Sequence, residues 1–241
     1  MCTLYTMPSA THAQIKALLR DKVPAWLPHE PPHLIHAYAR PIAPIILEDG
    51  SCVPASWTYM PPPSADATPE QKKAMGWQAT TFNTVGEEMF VKRTWSEPAR
   101  LRHCLVPAVS YTEHQHRGKV TVPYRMALPG DSLFFFAGLY KFYPQENVFR
   151  FSIITMPPNK LQRFVHNSRP RQPLILIPGK RDAEYLEAKT PEKMLPLLCP
   201  SDDDGMLAEV GVGLNGKVPE RLPDPPEWDD SPLTMPEMAT K

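Results

Sequence analysis

The sequence has no long hydrophobic run, no closely spaced cysteine pair and no net charge. No stretch approaches the 18 or more consecutive apolar residues of a membrane span, and the N-terminus lacks the basic and apolar regions of a signal peptide. We therefore expect a cytoplasmic protein with no membrane partner. The cysteines Cys2, Cys52, Cys104 and Cys199 form no Cys-x-x-Cys motif. The sequence therefore indicates neither a zinc site nor a disulfide framework, and we expect no cofactor.

Charge is balanced overall but unevenly distributed. Lys plus Arg and Asp plus Glu both total 26. The segment from Lys92 to Arg125 contains seven basic and two acidic residues. The segment from Ser201 onward contains ten acidic and three basic residues. A basic middle is compatible with a nucleic-acid contact, but two solvated faces would give the same pattern.

Proline is abundant, with 31 residues among 241. Because proline removes a backbone donor, it is excluded from helix interiors and central strands, and we expect short elements joined by irregular loops. The predicted fold class is α+β: a mainly antiparallel β core curled into a small barrel, with short peripheral helices. One domain should cover residues 1–218, and the Pro- and acid-rich segment 219–241 should form a mobile tail.

Local patterns predict the individual elements. Asp49-Gly50 should turn a hairpin between two apolar runs. Thr68, Pro69 and Gln71 form a capping box, and Thr11 should cap a first helix that ends before Pro24. The predicted strands are Thr3–Thr6, Ile42–Leu47, Cys52–Tyr59, Cys104–Tyr111, Lys119–Ala127, Leu133–Leu139 and Phe149–Ile154, and the later helices are Pro158–Val165 and Thr190–Leu198.

Cys2 carries a distinctive chemistry if Met1 is removed, which a small second residue permits. Its thiol, with an ordinary pKa of about 8.5, would lie beside an α-amine with a pKa of about 7.7 to 8.0. The amine can condense with an aldehyde to an imine, and the thiol can then close on the same carbon to form a thiazolidine. A cysteine at position 2 also occurs by chance, so position alone does not establish this function.

Several segments resemble the SOS response-associated peptidases, which include abasic-site shield proteins. The resemblance runs from Cys2 to about Val218. Arg102–Glu113 is similar to the family's RRCLVPADGFYEW, Phe136–Tyr140 to FAGLW and Phe151–Thr155 to FTIIT. Val165-His166 and Arg169-Pro170 resemble IHDRMP, Phe82-Asn83 with Glu87 corresponds to NAR-x-E, and Ile42-Ala43-Pro44 matches IAP.

The resemblance implies roles for four residues. Cys2 would supply the thiol and the amine, and Asn83 would hold the substrate or the N-terminal residue. Glu113 would act as acid and base, and His166 would polarise the sugar and shuttle protons. Without the family resemblance, three of these residues have a simpler interpretation. Asn83 would be a turn residue, Glu113 a charged residue at the edge of a strand and His166 a structural residue.

The resemblance also implies DNA contacts. Trp57, near the family's WGLVPSW segment, could stack on a base or belong to the core. Arg102 and Arg169 are the other candidate DNA-binding residues.

The family pattern is incomplete around these positions. Thr3-Leu4 replaces Gly-Arg, Val85 replaces the arginine of NAR-x-E, and Asn167-Ser168-Arg169 replaces Asp-Arg-Met. Thr112 and His114 flank Glu113 where the family tends to have aromatic residues. The expected site residues are therefore retained while DNA-contacting residues are fewer.

Three functions remain open. The first is covalent capture of abasic sites in single-stranded DNA by a monomer in the DNA damage response. The second is an N-terminal-nucleophile peptidase or amidase, and the third is a non-catalytic DNA or protein interaction module. His114 and His116 could also bind a metal, but no third ligand is apparent nearby in the sequence.

Overall fold

A computed structural model describes residues 2–10, 12–19, 24–27, 33–61, 66–74, 81–202, 204–211 and 222–240. Its strands are β1 Leu4–Met7, β2 His33–His36, β3 Ile42–Ile46, β4 Cys52–Trp57, β5 Asn83–Val85, β6 His103–Ala108, β7 Ser110–Arg117, β8 Val120–Ala127, β9 Phe134–Tyr143, β10 Val148–Met156, β11 Gln172–Pro173, β12 Ile175–Leu176 and β13 Leu207–Val210. Its α-helices are α1 Ala13–Leu18, α2 Pro69–Ala74, α3 Pro98–Leu101, α4 Lys160–Val165, α5 Asp182–Glu187 and α6 Pro191–Met194. No helix in these ranges is long and apolar enough to cross a membrane.

Five strands close into a barrel. The order β10-β4-β3-β6-β9 returns to β10, because β9 and β10 also pair with each other. The predicted hairpin is present: β3 and β4 are antiparallel, and Gly50 adopts a φ of 81° in their turn. The curled β core is therefore confirmed. Its pairing is more mixed than the sequence indicates, since β10 pairs with β4 and β5 in parallel.

A second, antiparallel sheet has the order β13-β8-β7-β1-β2. The chain passes into it directly from the barrel: β6 ends at Ala108, β7 begins at Ser110, and the Val109 N–H donates to the Thr6 carbonyl over 2.9 Å. The single strand predicted over Cys104–Tyr111 is therefore wrong. The apolar run continues without a break because β6 and the start of β7 are both buried, so the sequence does not show that the chain moves from one sheet to the other at Val109.

Helix caps follow the predicted chemistry in most places. The capping box is formed, with the Gln71 N–H donating to Thr68 Oγ1 and the Thr68 N–H to Gln71 Oε1. Asn159 caps α4 and Thr190 caps α6 through their side chains. The cap of α1 is His12, without a side-chain bond, and Thr11 lies outside the described residues. Helices α3 and α5 have no counterpart among the predicted elements.

The core of the barrel is aromatic. Trp57 is fully buried, its ring stacks on Phe151 at 6.2 Å and 7°, and its indole N–H donates to the Phe82 carbonyl. Tyr5 packs edge-on against both Trp57 and Phe136. Of the two positions that the sequence allows for Trp57, the structure shows the core position. A ring enclosed on all sides cannot stack on a DNA base, so its expected DNA contact is not supported.

The C-terminal segment has no helix or strand in its described part, residues 222–240, but it contacts the domain along α4. The Arg163 guanidinium donates to the Ser231 side chain and carbonyl and pairs with Asp229, and the Trp228 ring packs 5.4 Å from Phe164. The Ala239 N–H donates to the Glu87 carbonyl over 2.8 Å. The acidic residues thus meet cations of the domain.

Gly138 lies in β9 of the closed barrel, where there is no room for a larger side chain. A Cβ atom there would lie 3.0 Å from Cys104 Sγ, 3.1 Å from Val106 Cγ2 and 3.2 Å from the Ser152 carbonyl oxygen. We predict that Gly138→Ala lowers the free energy of unfolding by about 1–3 kcal/mol, the usual effect of overpacking a core. Urea denaturation measures this change.

Gly50→Asn provides the control for that substitution. A Cβ atom at Gly50 would have no heavy atom within 4 Å, and asparagine tolerates the positive φ of this position. We expect a loss below about 1 kcal/mol. Equal losses at the two positions would contradict the packing argument.

Candidate functional site

Cys2 lies just before β1 and is fully buried. Its carbonyl oxygen accepts a 2.9 Å hydrogen bond from Asn83 Nδ2, and the carbonyl of the next residue, Thr3, accepts from the Ala37 N–H over 2.8 Å. Burial, and secondarily the nearby charge of Glu113, raise the pKa of the Cys2 thiol well above its ordinary value. The structure therefore holds Cys2 by its backbone and keeps its thiol protonated.

Asn83 opens β5, which is aligned by parallel pairing with Ile153 of β10. Its Nδ2 is the donor to Cys2, while its Oδ1 is buried and has no hydrogen-bond partner among the described residues. The amide therefore still offers one acceptor. A buried acceptor of this kind suits an N–H group at the start of the mature chain or on a bound substrate.

Glu113 projects from β7 into the protein, with 3% of its surface exposed. Alternation along the strand explains this placement, because Tyr111, Glu113 and Gln115 are buried while Thr112 and His114 are only partly buried. Loss of hydration raises the pKa of Glu113 to about 7. Near neutral pH this carboxyl group can therefore both donate and accept a proton.

His166 follows α4 and faces Glu113. Its Nδ1 lies 3.6 Å from Glu113 Oε2 and 3.4 Å from the Arg171 carbonyl oxygen. Burial lowers the pKa of His166 to about 4. The imidazole is therefore neutral at neutral pH, and its contact with Glu113 is a short-range polar contact in which proton transfer is possible, rather than a permanent ion pair.

Hydrogen bonds between β7 and the α4 segment hold His166 beside Glu113. Tyr111 Oη donates to Gln162 Oε1 over 3.0 Å, and Gln115 Nε2 donates to the Phe164 carbonyl over 2.6 Å. Asn167 exchanges two 2.9 Å bonds with the backbone of His116. The sequence analysis did not predict these supporting residues, because its strand ended at Tyr111; a strand continued to Arg117 puts Tyr111 and Gln115 on the same face as Glu113.

A second support lies behind His166. Arg171 donates to both carboxylate oxygens of Glu87, over 3.0 and 2.6 Å, and also to the carbonyl oxygen of Thr155. Because the Arg171 carbonyl oxygen lies 3.4 Å from His166 Nδ1, these bonds fix the backbone that the imidazole faces. Glu87 matched the family pattern, but its partner was not predicted.

The remaining predicted residues lie outside this cluster. Arg102 is partly exposed and pairs with Glu97 at 3.1 Å. Arg169 is exposed, three residues beyond His166. His114 and His116 project from β7, but the described part of the chain contains no group of three or more potential metal ligands. The structure thus brings together Cys2, Asn83, Glu113 and His166, and does not join Trp57, Arg102 or Arg169 to them.

The raised pKa of Glu113 predicts a pH-dependent stability. Below its ordinary pKa of 4.5 the carboxyl is protonated in both the folded and unfolded states, and above about 7 it is ionised in both. Between these values the folded state binds the extra proton, so the contribution of Glu113 to stability falls as pH rises from 4.5 to 7. We predict that Glu113→Gln gains stability relative to the wild type across this window, with a constant difference above pH 8.

Urea denaturation at a series of pH values measures this difference. His166 has the opposite trend, since its lowered pKa makes stability rise between about 4 and 6.5, and because it contacts Glu113 the comparison is repeated with His166→Gln present in both proteins. Glu184→Gln, at an exposed helical carboxylate, is the control. A difference that does not change with pH would contradict the burial of an ionisable group at position 113.

Comparison with known proteins identifies the family. The family model described as SOS response associated peptidase (SRAP) matches residues 1–212. The chain is 29% identical over 158 residues to "Abasic site processing protein YoqW" of Bacillus subtilis, covering 63% of this chain and 65% of that protein. It is also 29% identical over 162 residues to "Abasic site processing protein YMR114C" of Saccharomyces cerevisiae, covering 64% of this chain and 43% of that protein.

The matched region therefore spans less than two thirds of the length of either relative. Among solved structures, a Bacteroides thetaiotaomicron protein has the same fold, with a TM-score of 0.70 and 24% identity over 87% of this chain and 91% of its own. A Bordetella bronchiseptica protein is similar, with a TM-score of 0.65 and 20% identity over 86% and 98%. With its family match over residues 1–212, the chain belongs to the SOS response associated peptidase family.

Proposed function

We propose that this protein captures abasic sites in single-stranded DNA by forming a thiazolidine with Cys2. The observation that carries the proposal is the buried pair of Glu113 and His166, 3.6 Å apart, with Glu113 close enough to Cys2 for its charge to raise the pKa of the thiol. The names of the similar proteins, abasic site processing proteins, support the substrate class. The ring-opened sugar of an abasic site supplies the required aldehyde.

The first step requires removal of Met1, which frees the α-amine of Cys2. The amine attacks the aldehyde carbon, and its surplus proton passes to a base as the carbinolamine forms. Loss of the hydroxyl group as water requires a proton on the leaving oxygen, and the result is an imine. Glu113 suits both transfers, since an acid with a pKa near the working pH can give and take a proton efficiently.

The second step closes the ring. The Cys2 sulfur adds to the imine carbon, and the imine nitrogen takes up one proton, so the S–H bond is added across C=N with no other reactant. Burial keeps this thiol protonated, and Glu113 can remove the thiol proton as the sulfur attacks and return a proton to nitrogen. The overall change is loss of one water molecule.

His166 and Asn83 have distinct supporting roles in this scheme. The neutral imidazole of His166 polarises the sugar oxygen and exchanges protons with Glu113 across 3.6 Å. Asn83 positions the nucleophile through its hydrogen bond to the Cys2 carbonyl. Both roles require that the sugar reach the buried cluster, which favours single-stranded DNA because its nucleotides unstack at lower cost.

The alternatives account for fewer features. A peptidase or amidase of the N-terminal-nucleophile type would need the same proton transfer from the Cys2 thiol to Glu113, but the names of the similar proteins refer to abasic sites and not to peptides. A purely structural interaction module would gain nothing from a buried carboxyl group with a raised pKa, which costs stability at neutral pH. The same geometry is useful if imine chemistry takes place at the site.

The scheme predicts that the mature protein begins at Cys2. A retained Met1 would convert the nitrogen of Cys2 into an amide, which cannot form an imine. Intact-mass spectrometry of protein purified without an N-terminal tag measures this directly. A protein that retains Met1 throughout and still forms the adduct would contradict the role of the amine.

Substitutions at Cys2 and Glu113 distinguish formation of the imine from formation of the carbon–sulfur bond. Cys2→Ala retains the amine, so we predict a reversible imine that borohydride traps and no stable adduct without reductant. Glu113→Gln should slow adduct formation by roughly 10²- to 10⁴-fold, as expected for loss of a general acid and base, with little effect on DNA affinity. Single-turnover denaturing gels with an abasic oligonucleotide provide both measurements.

Two matched variants control for general effects. Cys52→Ala removes a partly buried thiol from the β3–β4 hairpin, and Glu184→Gln neutralises an exposed carboxylate on α5. Both should crosslink at the wild-type rate. A stable adduct with Cys2→Ala, or a wild-type rate with Glu113→Gln, would show that the chemistry resides elsewhere.

A further inference from the structure

An exposed turn next to Cys2 carries an aromatic ring and a cation that the scheme above does not use. This turn, residues 36–40, consists of His36, a 3₁₀ segment over Ala37–Ala39 and Arg40. Tyr38 is 63% exposed, and Arg40 is exposed as well. The ring and the cation are two residues apart in the chain, and both are open to solvent.

The turn is attached to the residues that hold Cys2 on two sides. The Ala37 N–H donates to the carbonyl of Thr3, the residue after Cys2. The Tyr38 ring packs edge-on against Phe82, 5.2 Å between ring centres at 74°, and Phe82 precedes Asn83 in the chain. The 36–40 turn is therefore attached to the chain neighbours of both Cys2 and Asn83.

Tyr38 is supported on a rigid base. Phe82 is buried, and its carbonyl accepts from the Trp57 indole and from the Ile153 N–H, so the barrel fixes its position. The His36 ring lies 5.4 Å from Tyr38 and tilted by 34°. Two rings thus contact Tyr38, while 63% of its surface remains exposed.

The backbone of the turn is also unusual. Arg40 adopts the left-handed conformation, with φ 49° and ψ 53°, which a non-glycine residue rarely adopts without compensation. Its N–H bonds to the Ala37 carbonyl, and its own carbonyl accepts from Ser56 Oγ over 3.4 Å. These bonds maintain a conformation that leaves the guanidinium in solvent, two residues from the exposed ring.

We propose that the 36–40 turn binds the nucleotide adjacent to the abasic sugar, with Tyr38 stacking on its base and Arg40 pairing with its phosphate. Alternation of an aromatic face with a cation is the usual means of binding single-stranded nucleic acid, because every base has a π face and every linkage a charge. The inference rests on the proposed function, since it requires the abasic sugar to reach Cys2. It assigns to Tyr38 a positioning role before any covalent bond forms.

Affinity for an unreactive substrate tests the turn apart from the chemistry. The probe is a single-stranded oligonucleotide with a tetrahydrofuran abasic analogue, which has no aldehyde, and binding is measured by fluorescence anisotropy. Tyr38→Ala should weaken binding by about 5- to 150-fold, the range for loss of one stacked base, while Tyr38→Phe should bind as the wild type does. Arg40→Gln should lower the slope of log affinity against log salt by about 0.7.

Removal of the partner base distinguishes stacking from a structural effect. Two further oligonucleotides each lack one more base, either on the 5′ or on the 3′ side of the analogue. The wild type should bind one of these two more weakly than the parent oligonucleotide. On that oligonucleotide Tyr38→Ala should cause no further loss of affinity. Trp26→Ala, at a 40% exposed tryptophan in the turn before Leu27, and Lys180→Gln, at an exposed cation after β12, are the matched controls and should bind normally.

The outcomes separate this inference from the proposed function. Wild-type affinity of Tyr38→Ala, or an equal loss on every oligonucleotide, would overturn the role of the turn even if the wild type forms the adduct with an aldehyde-bearing strand. Conversely, a base-dependent effect of Tyr38 with no adduct from the wild type would retain the turn as a binding element and overturn covalent capture.

Discussion

Removal of the Glu113 carboxyl group from water is the constraint on which the site depends. A carboxylate in water has a pKa near 4.5 and would be a poor acid at neutral pH, whereas burial raises the pKa of this group to about 7. The same enclosure keeps the Cys2 thiol protonated and His166 neutral. In solvent the carboxyl group would be ionised and the imidazole partly protonated at neutral pH, whereas burial here favours the uncharged form of all three groups.

The fold produces this enclosure because only one residue, Val109, separates strand β6 of the barrel from strand β7 of the second sheet. At Val109 the chain leaves the closed barrel and starts β7, which carries Glu113 inward and pairs with β1 behind Cys2. The segment around α4 then covers β7 through side-chain bonds from Tyr111 and Gln115 and delivers His166. Residues far apart in sequence therefore meet because hydrogen bonds fix three pieces of backbone relative to one another.

Local chemistry was sufficient to predict much of this arrangement. Gly50 and the Thr68 capping box mark a turn and a helix start by their own conformational preferences, and both are present. The family resemblance selected four residues that the structure brings into one cluster. Features that depend on distant partners were not predictable in this way. The break at Val109, the parallel pairing of β10, the burial of Trp57 and the contacts of the tail all depend on which surface the folded chain brings opposite each residue.

The parallel pairing of β10 has a consequence for how the sequence can vary. Strands β4 and β5 occupy consecutive stretches of the same edge of β10, with Trp57 opposite Phe151 and Asn83 opposite Ile153. The chain between them therefore leaves and rejoins the barrel at points only two residues apart along β10. The entropy of closing a loop changes slowly with its length when its ends are held close together. We therefore expect the exposed helix α2 within this segment to accept an insertion or a grafted module, while the buried residues Tyr59, Thr81 and Phe82 at the two ends keep Asn83 in register with Cys2.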